Sequence, residues 1–332
     1  MIVMQSRRGF MALATGAAGF AAAPALAAGG GAPETAAVRF ANAPNYCIAP
    51  QYLAHDLLRA EGFEEVRYVE APTGPAAGKA VAEGRADFYS AFAPDAILQV
   101  DAGEAITIVA GVHVGCFELF AHPGVGSIVE LKGRRVAVVK GSSGYRLLTM
   151  LMRYVGFDPD SDIVWVTSDR LKPLELFIAG EADAVLAFPP APQELRARGI
   201  GQVIASTTTD RPWSQYLCCV VQANSEFVQR HPVATKRVIR AILKASDLCA
   251  DEPERMARQL VERGVAQRYD YAVQVLGELS FRAWREYDVA DSIRFYALRM
   301  REIGFIAQAP SEIIRRGTDL RYFNELKREL KA

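Results

Sequence analysis

The stretch Lys140-Gly141-Ser142-Ser143-Gly144-Tyr145-Arg146 puts two hydroxyls, a guanidinium and two glycines where a helix is predicted to begin. Free backbone N–H groups and the helix dipole favour an oxyanion at such a place, so the segment suits a carboxylate or a sulfonate. Ordinary serine capping explains the same residues. Arg146 either adds a bidentate contact to an anion or faces solvent. The Gly-x4-Gly-Lys-Ser/Thr spacing of a phosphate-cradling loop is absent.

Other residues that could do chemistry are spread along the chain. Asn42, Asn45 and Tyr46 offer donors, acceptors and an aromatic wall, the usual make-up of a small-molecule pocket, with Cys47 beside them as contact or filler. Thr73-Gly74 is a loop where glycine lets backbone approach a ligand, or a plain turn. Phe92 and Phe188 suit a sandwich around an apolar ligand, or the core, and Ser90 precedes the first of them. Asp95 follows Pro94 and is expected to cap the next helix, while Asp87 and Asp183 read as turn residues. His113 ends a β-rich run and is the histidine best placed for a cleft; His55, His122 and His231 lack Ser/Asp or Cys/Asn partners. Arg211-Pro212-Trp213 could line a cleft floor with Arg211 facing an anion, or pack as a hinge.

No metal-ligand spacing, Gly-x-Ser-x-Gly nucleophile or dinucleotide fingerprint occurs, so no cofactor is expected. Five cysteines (Cys47, Cys116, Cys218, Cys219, Cys249) are an odd number at spacings that fit neither zinc nor redox motifs. They are expected to be buried small apolar residues.

The elements that must hold these residues come in two copies. GRADFYSAFAP at 84–94 returns as GEADAVLAFPP at 180–190, so that Gly84 matches Gly180, Asp87 Asp183, Phe92 Phe188 and Pro94 Pro190, each 96 residues on. The likeness extends outward. Strands are predicted at 38–42, 66–70 and 88–91 with helices at 50–60 and 75–82, and again at 135–140, 163–167 and 184–187 with helices at 145–155 and 173–179. Glycine closes the helices as a left-handed cap. Strand, helix, strand, helix, strand implies right-handed crossovers and a parallel sheet, and two copies imply two α/β lobes. One long doubly wound sheet is the alternative. Extended runs at 106–121 and 203–222 flank the second copy and are the hinge candidates, and the chain is helical from Ser225 onward. Ligands bind beyond the carboxyl ends of parallel strands, so both jaws would face one cleft.

Ser6-Arg7-Arg8-Gly9-Phe10-Met11, an Ala/Gly-rich run and Pro24-Ala25-Leu26-Ala27 read as a twin-arginine export signal over 1–27, followed by a flexible leader over 28–37. Without Arg7 and Arg8, the 38 bases against 38 acids become 36 against 38, a net charge of −2 that points to neither nucleic acid nor an anionic membrane. The roughly 305 residues left exceed the ~250 at which single cores stop growing.

These units, the loop 140–144 before a helix, and Ser225-Glu226-Phe227 with His231-Pro232 before a long helix resemble the solute-binding components of ABC importers, in the nitrate/sulfonate/taurine and thiamine-pyrimidine binding group. The resemblance implies a type II periplasmic-binding fold with lobe 1 at 38–118 and 215–332, lobe 2 at 119–214, and a two-segment hinge. It also implies a monomer in the periplasm that closes on a small organic anion or heteroaromatic solute and delivers it to a membrane permease. An enzyme of the pyrimidine-synthase or small-acid-dehydratase type, or a ligand-sensing partner of a membrane receptor, would share the fold.

Overall fold

Short runs rich in β-branched and aromatic residues, each followed by an apolar helix and a glycine, dictate two βαβ units, and a computed structural model of the chain describes residues 31–330. The first unit is β1 (Ala37–Asn42), α1 (Ala49–Leu53), α2 (His55–Ala60), β2 (Glu65–Glu70), α3 (Gly74–Ala82) and β3 (Phe88–Phe92). After α4 (Ala93–Asp101) and β4 (Ile106–Val114) the chain crosses over through β5 (Glu118–Ala121). The second unit is β6 (Arg135–Ala137), α5 (Ser143–Tyr154), β7 (Val164–Val166), α6 (Pro173–Ile178) and β8 (Ala184–Ala187), followed by α7 (Ala191–Ala197) and β9 (Gln202–Ser206). The chain returns in β10 (Leu217–Asn224) and ends in α8 (Ser225–Arg230), α9 (Pro232–Asp251), α10 (Pro253–Glu262), α11 (Tyr269–Glu278), α12 (Val289–Glu302), α13 (Pro310–Gly317) and α14 (Arg321–Glu329).

Two five-stranded sheets result, ordered β2-β1-β3-β10-β4 and β7-β6-β8-β5-β9. Within each unit the strands are parallel, as crossover helices require. The sheets as wholes are mixed, a correction to the all-parallel expectation. β10 runs antiparallel to both β3 and β4 because it re-enters from the other side, and β5 runs antiparallel to β8 and β9 for the same reason. Gly84 and Gly180 end α3 and α6 at φ +68° and +74°, the left-handed conformation that costs glycine least.

The first sheet is buried between α1, α3, α4 and the C-terminal helices, with Phe40, Phe88 and Ile108 fully enclosed. Such burial contributes ~1.5–3 kcal/mol per large side chain. The second sheet has two smaller cores, one around Leu119, Val136 and Leu148 and one around Phe120, Phe177 and Leu195.

The proposed export signal lies outside the described residues. The described part of the leader is tied down, contrary to its expected flexibility: Glu34 accepts hydrogen bonds at 2.9 Å from the N–H groups of Val233 and Ala234 at the start of α9, and Ala37 already belongs to β1. No helix among the described residues is long and apolar enough to cross a membrane.

Candidate solute-binding cleft

The carboxyl ends of the parallel strands in both sheets lead into helix N-termini, and two of these meet. Ser142 caps α5, its Oγ accepting from Tyr145 N–H at 3.2 Å. The next residue, Ser143, donates its hydroxyl to Asp95 Oδ2 in α4. One turn further, Arg146 donates from Nε to Asp95 Oδ1 at 2.7 Å and from Nη1 to Gly141 O at 2.6 Å, with its second amino group 2.5 Å from Asp95 Oδ1. Arg146 and Asp95 side chains are each 9% exposed, so the pair is enclosed rather than a surface contact. Gly74 completes the wall: a Cβ there would come within 3.5 Å of Tyr89 Oη and 3.9 Å of both Asp95 Oδ2 and Ser143 Oγ. Thr73 caps α3 beside it through Ala76 N–H.

Asp95 is therefore not a helix cap. α4 already begins at Ala93, which makes Asp95 its third residue, and the carboxylate reaches across to the second sheet's helix. Burial pushes the Asp95 carboxyl above its ordinary value, against the opposite pull of Arg146 and Ser143. Desolvation thus offsets much of the attraction in this clasp. A second clasp joins α7 to α11, where Gln193 and Arg196 donate to Glu278 at 2.8 and 2.7 Å; Arg196 also holds Glu118 at 2.6 Å. Burial raises the Glu118 carboxyl, with Arg196 acting against it.

The other candidates lie elsewhere. Asn42 donates to Glu70 at 2.5 Å across the ends of β1 and β2. Asn45 caps the turn at Tyr46–Ile48, and the Tyr46 hydroxyl accepts from the N–H groups of Gln267 and Arg268, away from α5. Ser90 is buried in β3 with its N–H on Gln51 Oε1 at 2.7 Å. Phe92 packs on Phe117 and Tyr296, and Phe188, 46% exposed, packs edge-on against the same Phe117, so the two rings share a neighbour at the crossing. Tyr145 leans on Trp165 and Phe305. Trp213 is buried against Tyr154 and Phe295, and with exposed Arg211 it lines a cavity of about 170 Å³ beside Ile204 and Thr207, apart from Asp95 and Ser143. His113 is fully buried beside Cys47 and Cys219.

Sequence reasoning missed the role of Asp95 and the presence of Tyr89 in this wall. The available signal was an asymmetry in the repeat: the position matching Asp95 in the second unit is Ala191, so that acid serves one copy only. Asp87 and Asp183 sit in bends immediately ahead of β3 and β8, as read, and carry a further role. Each bonds the guanidinium and the N–H of an arginine on the first strand of its unit, Arg39 at 2.6 and 2.7 Å and Arg135 at 2.8 Å in both contacts.

Two α/β sheets, each holding a strand that enters through one of two crossing segments, with the N-termini of α4 and α5 in contact, make the periplasmic binding protein fold. The chain belongs to the NMT1/THI5-like family, whose model matches residues 48–256. A Brucella abortus chain with a provisional description as a binding protein is 28% identical over 182 residues, 54% of this chain and 56% of that relative. This chain therefore spans little more than half the length of the curated relatives it matches. Among solved structures, the periplasmic nitrate-binding protein NrtA from Synechocystis PCC 6803 is similar with a TM-score of 0.77 at 13% identity, over 91% of this chain and 90% of that one. The periplasmic aliphatic sulphonate binding protein SsuA from Escherichia coli gives 0.70 at 20% identity, over 86% and 93%. The desulfurization enzyme DSZB gives 0.59 at 15% identity, over 89% and 99%. At these identities the likeness is one of fold.

Proposed function

We propose that this chain is a solute-binding component of an ABC importer that closes its two lobes on a small organic anion, of sulfonate or carboxylate type. The lobes are those formed by 38–118 with 215–332 and by 119–214, the division that sheet membership supports. The observation that carries the reading is the Asp95 carboxylate, seated on Ser143 and Arg146 at the N-terminus of α5 next to Gly74. The chain's own oxyanion occupies donors that an anionic solute would take over. The fold is shared with nitrate- and sulphonate-binding proteins, which supports binding and transport. It is also shared with one enzyme. The cleft residues brought together here pair Ser143 with a carboxylate and no histidine, which favours binding over catalysis. Export by the twin-arginine route, a periplasmic location, a monomeric state and delivery to a membrane permease belong to the same proposal.

A second reading rests on Asp95 itself. Arg146 is already neutralised, so a heteroaromatic solute with amino donors, such as a pyrimidine, would bind the carboxylate instead.

Thermal unfolding against sulfonates, carboxylates, nitrate and pyrimidines tests both. A ligand at a hundred times its Kd adds ~2.7 kcal/mol, which for a chain of about 300 residues lifts the midpoint by roughly 4–5 °C. Asp95→Asn then separates the readings, since it should strengthen an anion freed from competition and weaken an amine. A flat panel on protein shown by native mass spectrometry to carry no ligand would overturn the proposal.

A further inference from the structure

Four of the five cysteines, far apart in sequence, converge where the two crossing segments leave the first sheet. Cys47 comes from the loop after β1, Cys116 from the outgoing crossing, and Cys218 and Cys219 from β10. The ligating atoms of Cys47, His113 and Cys219 lie within 4.8 Å of one another, and so do those of Cys116, Cys218 and Cys219. Cys116 and Cys218 sulfurs are 3.6 Å apart. None of the five residues is more than 4% exposed.

Three features of the backbone and side chains serve this convergence. Successive residues of a regular strand point to opposite faces, so Cys218 and Cys219 should diverge. They share a cluster because the β10–β4 ladder bulges there: Leu217 faces Val114 and Cys219 faces His113, leaving Cys218 as the extra residue. Cys116 holds φ at +146°, a conformation that side-chain-bearing residues rarely adopt. His113 bonds through Nδ1 to Val114 O at 3.1 Å, and its buried Nε2 has no hydrogen-bond partner. A carbonyl only accepts, so Nδ1 carries the proton and the Nε2 lone pair is available, the form in which imidazole binds metal. One buried cysteine is an apolar filler. Four whose sulfurs gather beside an unpartnered buried nitrogen need another account.

The donors are thiol and imidazole only, a set that selects soft cations. They fall into two three-donor groups sharing Cys219, not into the four-donor tetrahedron of structural zinc. We propose that Cys47, His113 and Cys219, with Cys116, Cys218 and Cys219, form a buried site for Cu(I), one ion per triad with the Cys219 sulfur shared. Binding breaks the S–H bonds of the thiols, forms Cu–S bonds and releases the protons to solvent; copper stays at +1 throughout.

The test uses the reduced full chain under anaerobic conditions, titrated with Cu(I) against bathocuproine disulfonate. The protein should withdraw copper from the chelator and give an X-ray absorption spectrum dominated by sulfur neighbours. Cys219→Ala should lose more than the roughly 100-fold in affinity that altering an outer partner costs. Cys47→Ala and Cys116→Ala should each halve the stoichiometry, which covers the case in which Cys219→Ala fails to fold, and Cys249→Ala should change nothing. No withdrawal of Cu(I), undiminished binding by the folded triad variants, or preferential four-coordinate binding of Zn(II) would each overturn the site.

Discussion

The first strand of each βαβ unit carries an arginine and the residue just before the third strand is an aspartate, each 96 residues from its counterpart, and both pairs bond in the same way. The side-chain contacts are reinforced by a backbone bond from Asp87 N–H to Arg39 O at 2.7 Å and from Asp183 N–H to Arg135 O at 2.8 Å. The loops after those first strands then part. Cys47 and Ser143 hold matching positions, yet Cys47 turns down into the thiol cluster and Ser143 reaches across to Asp95. The frame repeats because each sheet needs its crossover strands fixed at the same end. The loops differ because the first packs into the interior of its own sheet while the second reaches a helix of the other unit.

The largest expected effect is at a position that the first unit cannot match, since Pro50 stands where the second has Arg146. Arg146→Ala leaves the Asp95 carboxylate buried without its partner and is expected to cost about 3 kcal/mol of stability in urea unfolding. It should also weaken an anionic solute by about 10–100-fold in calorimetry, the worth of hydrogen bonds to a charged group. A variant as stable as the parent would show that the clasp is loose in solution and that the loops differ less than their contacts suggest.

The paired frames come next. Asp87 is enclosed, with 6% of its side chain exposed, whereas Asp183 has 24% exposed. Asp87→Ala removes the acceptor for three Arg39 N–H groups and should cost about 2 kcal/mol. Asp183→Ala should cost a fraction of that by the same urea midpoint measurement, because water replaces its contacts more easily. Equal losses would mean that both pairs work through the backbone bond rather than through burial.

Local rules explain why the frame was legible in the sequence. Gly84 and Gly180 end helices by a conformation set within a few residues, and the strands are marked by their own composition. The Arg39–Asp87 pair was hidden because it depends on β1 lying beside β3, a fact of topology rather than spacing. Asp95 was read as a cap because Pro94 precedes it, while its partner sits 51 residues away in the second unit. The cysteines match no motif because the cluster is assembled from three segments and one bulge, and register shifts leave no pattern in composition. The mixed sheets escaped notice for a related reason: the direction of β10 is fixed by where the second crossing returns it.

Acid offers the finest test of the two frames. Hydrogen bonding to Arg135 holds the Asp183 carboxyl below its ordinary value, while burial works the other way. A carboxyl depressed in the folded chain contributes stability above its unfolded pKa and loses it as pH falls through the folded one. The urea midpoints of the parent and Asp183→Asn should therefore differ by a constant amount near neutrality. The gap should narrow below about pH 4, where the unfolded carboxyl begins to bind protons, and level off at its smallest value once the native carboxyl is protonated. This is the smallest of the effects, because the Arg135 side chain is 46% exposed and solvent screens the pair. A gap that stayed constant into strong acid would mean that the second frame is held by hydrogen-bond geometry alone, with the charge on Asp183 dispensable.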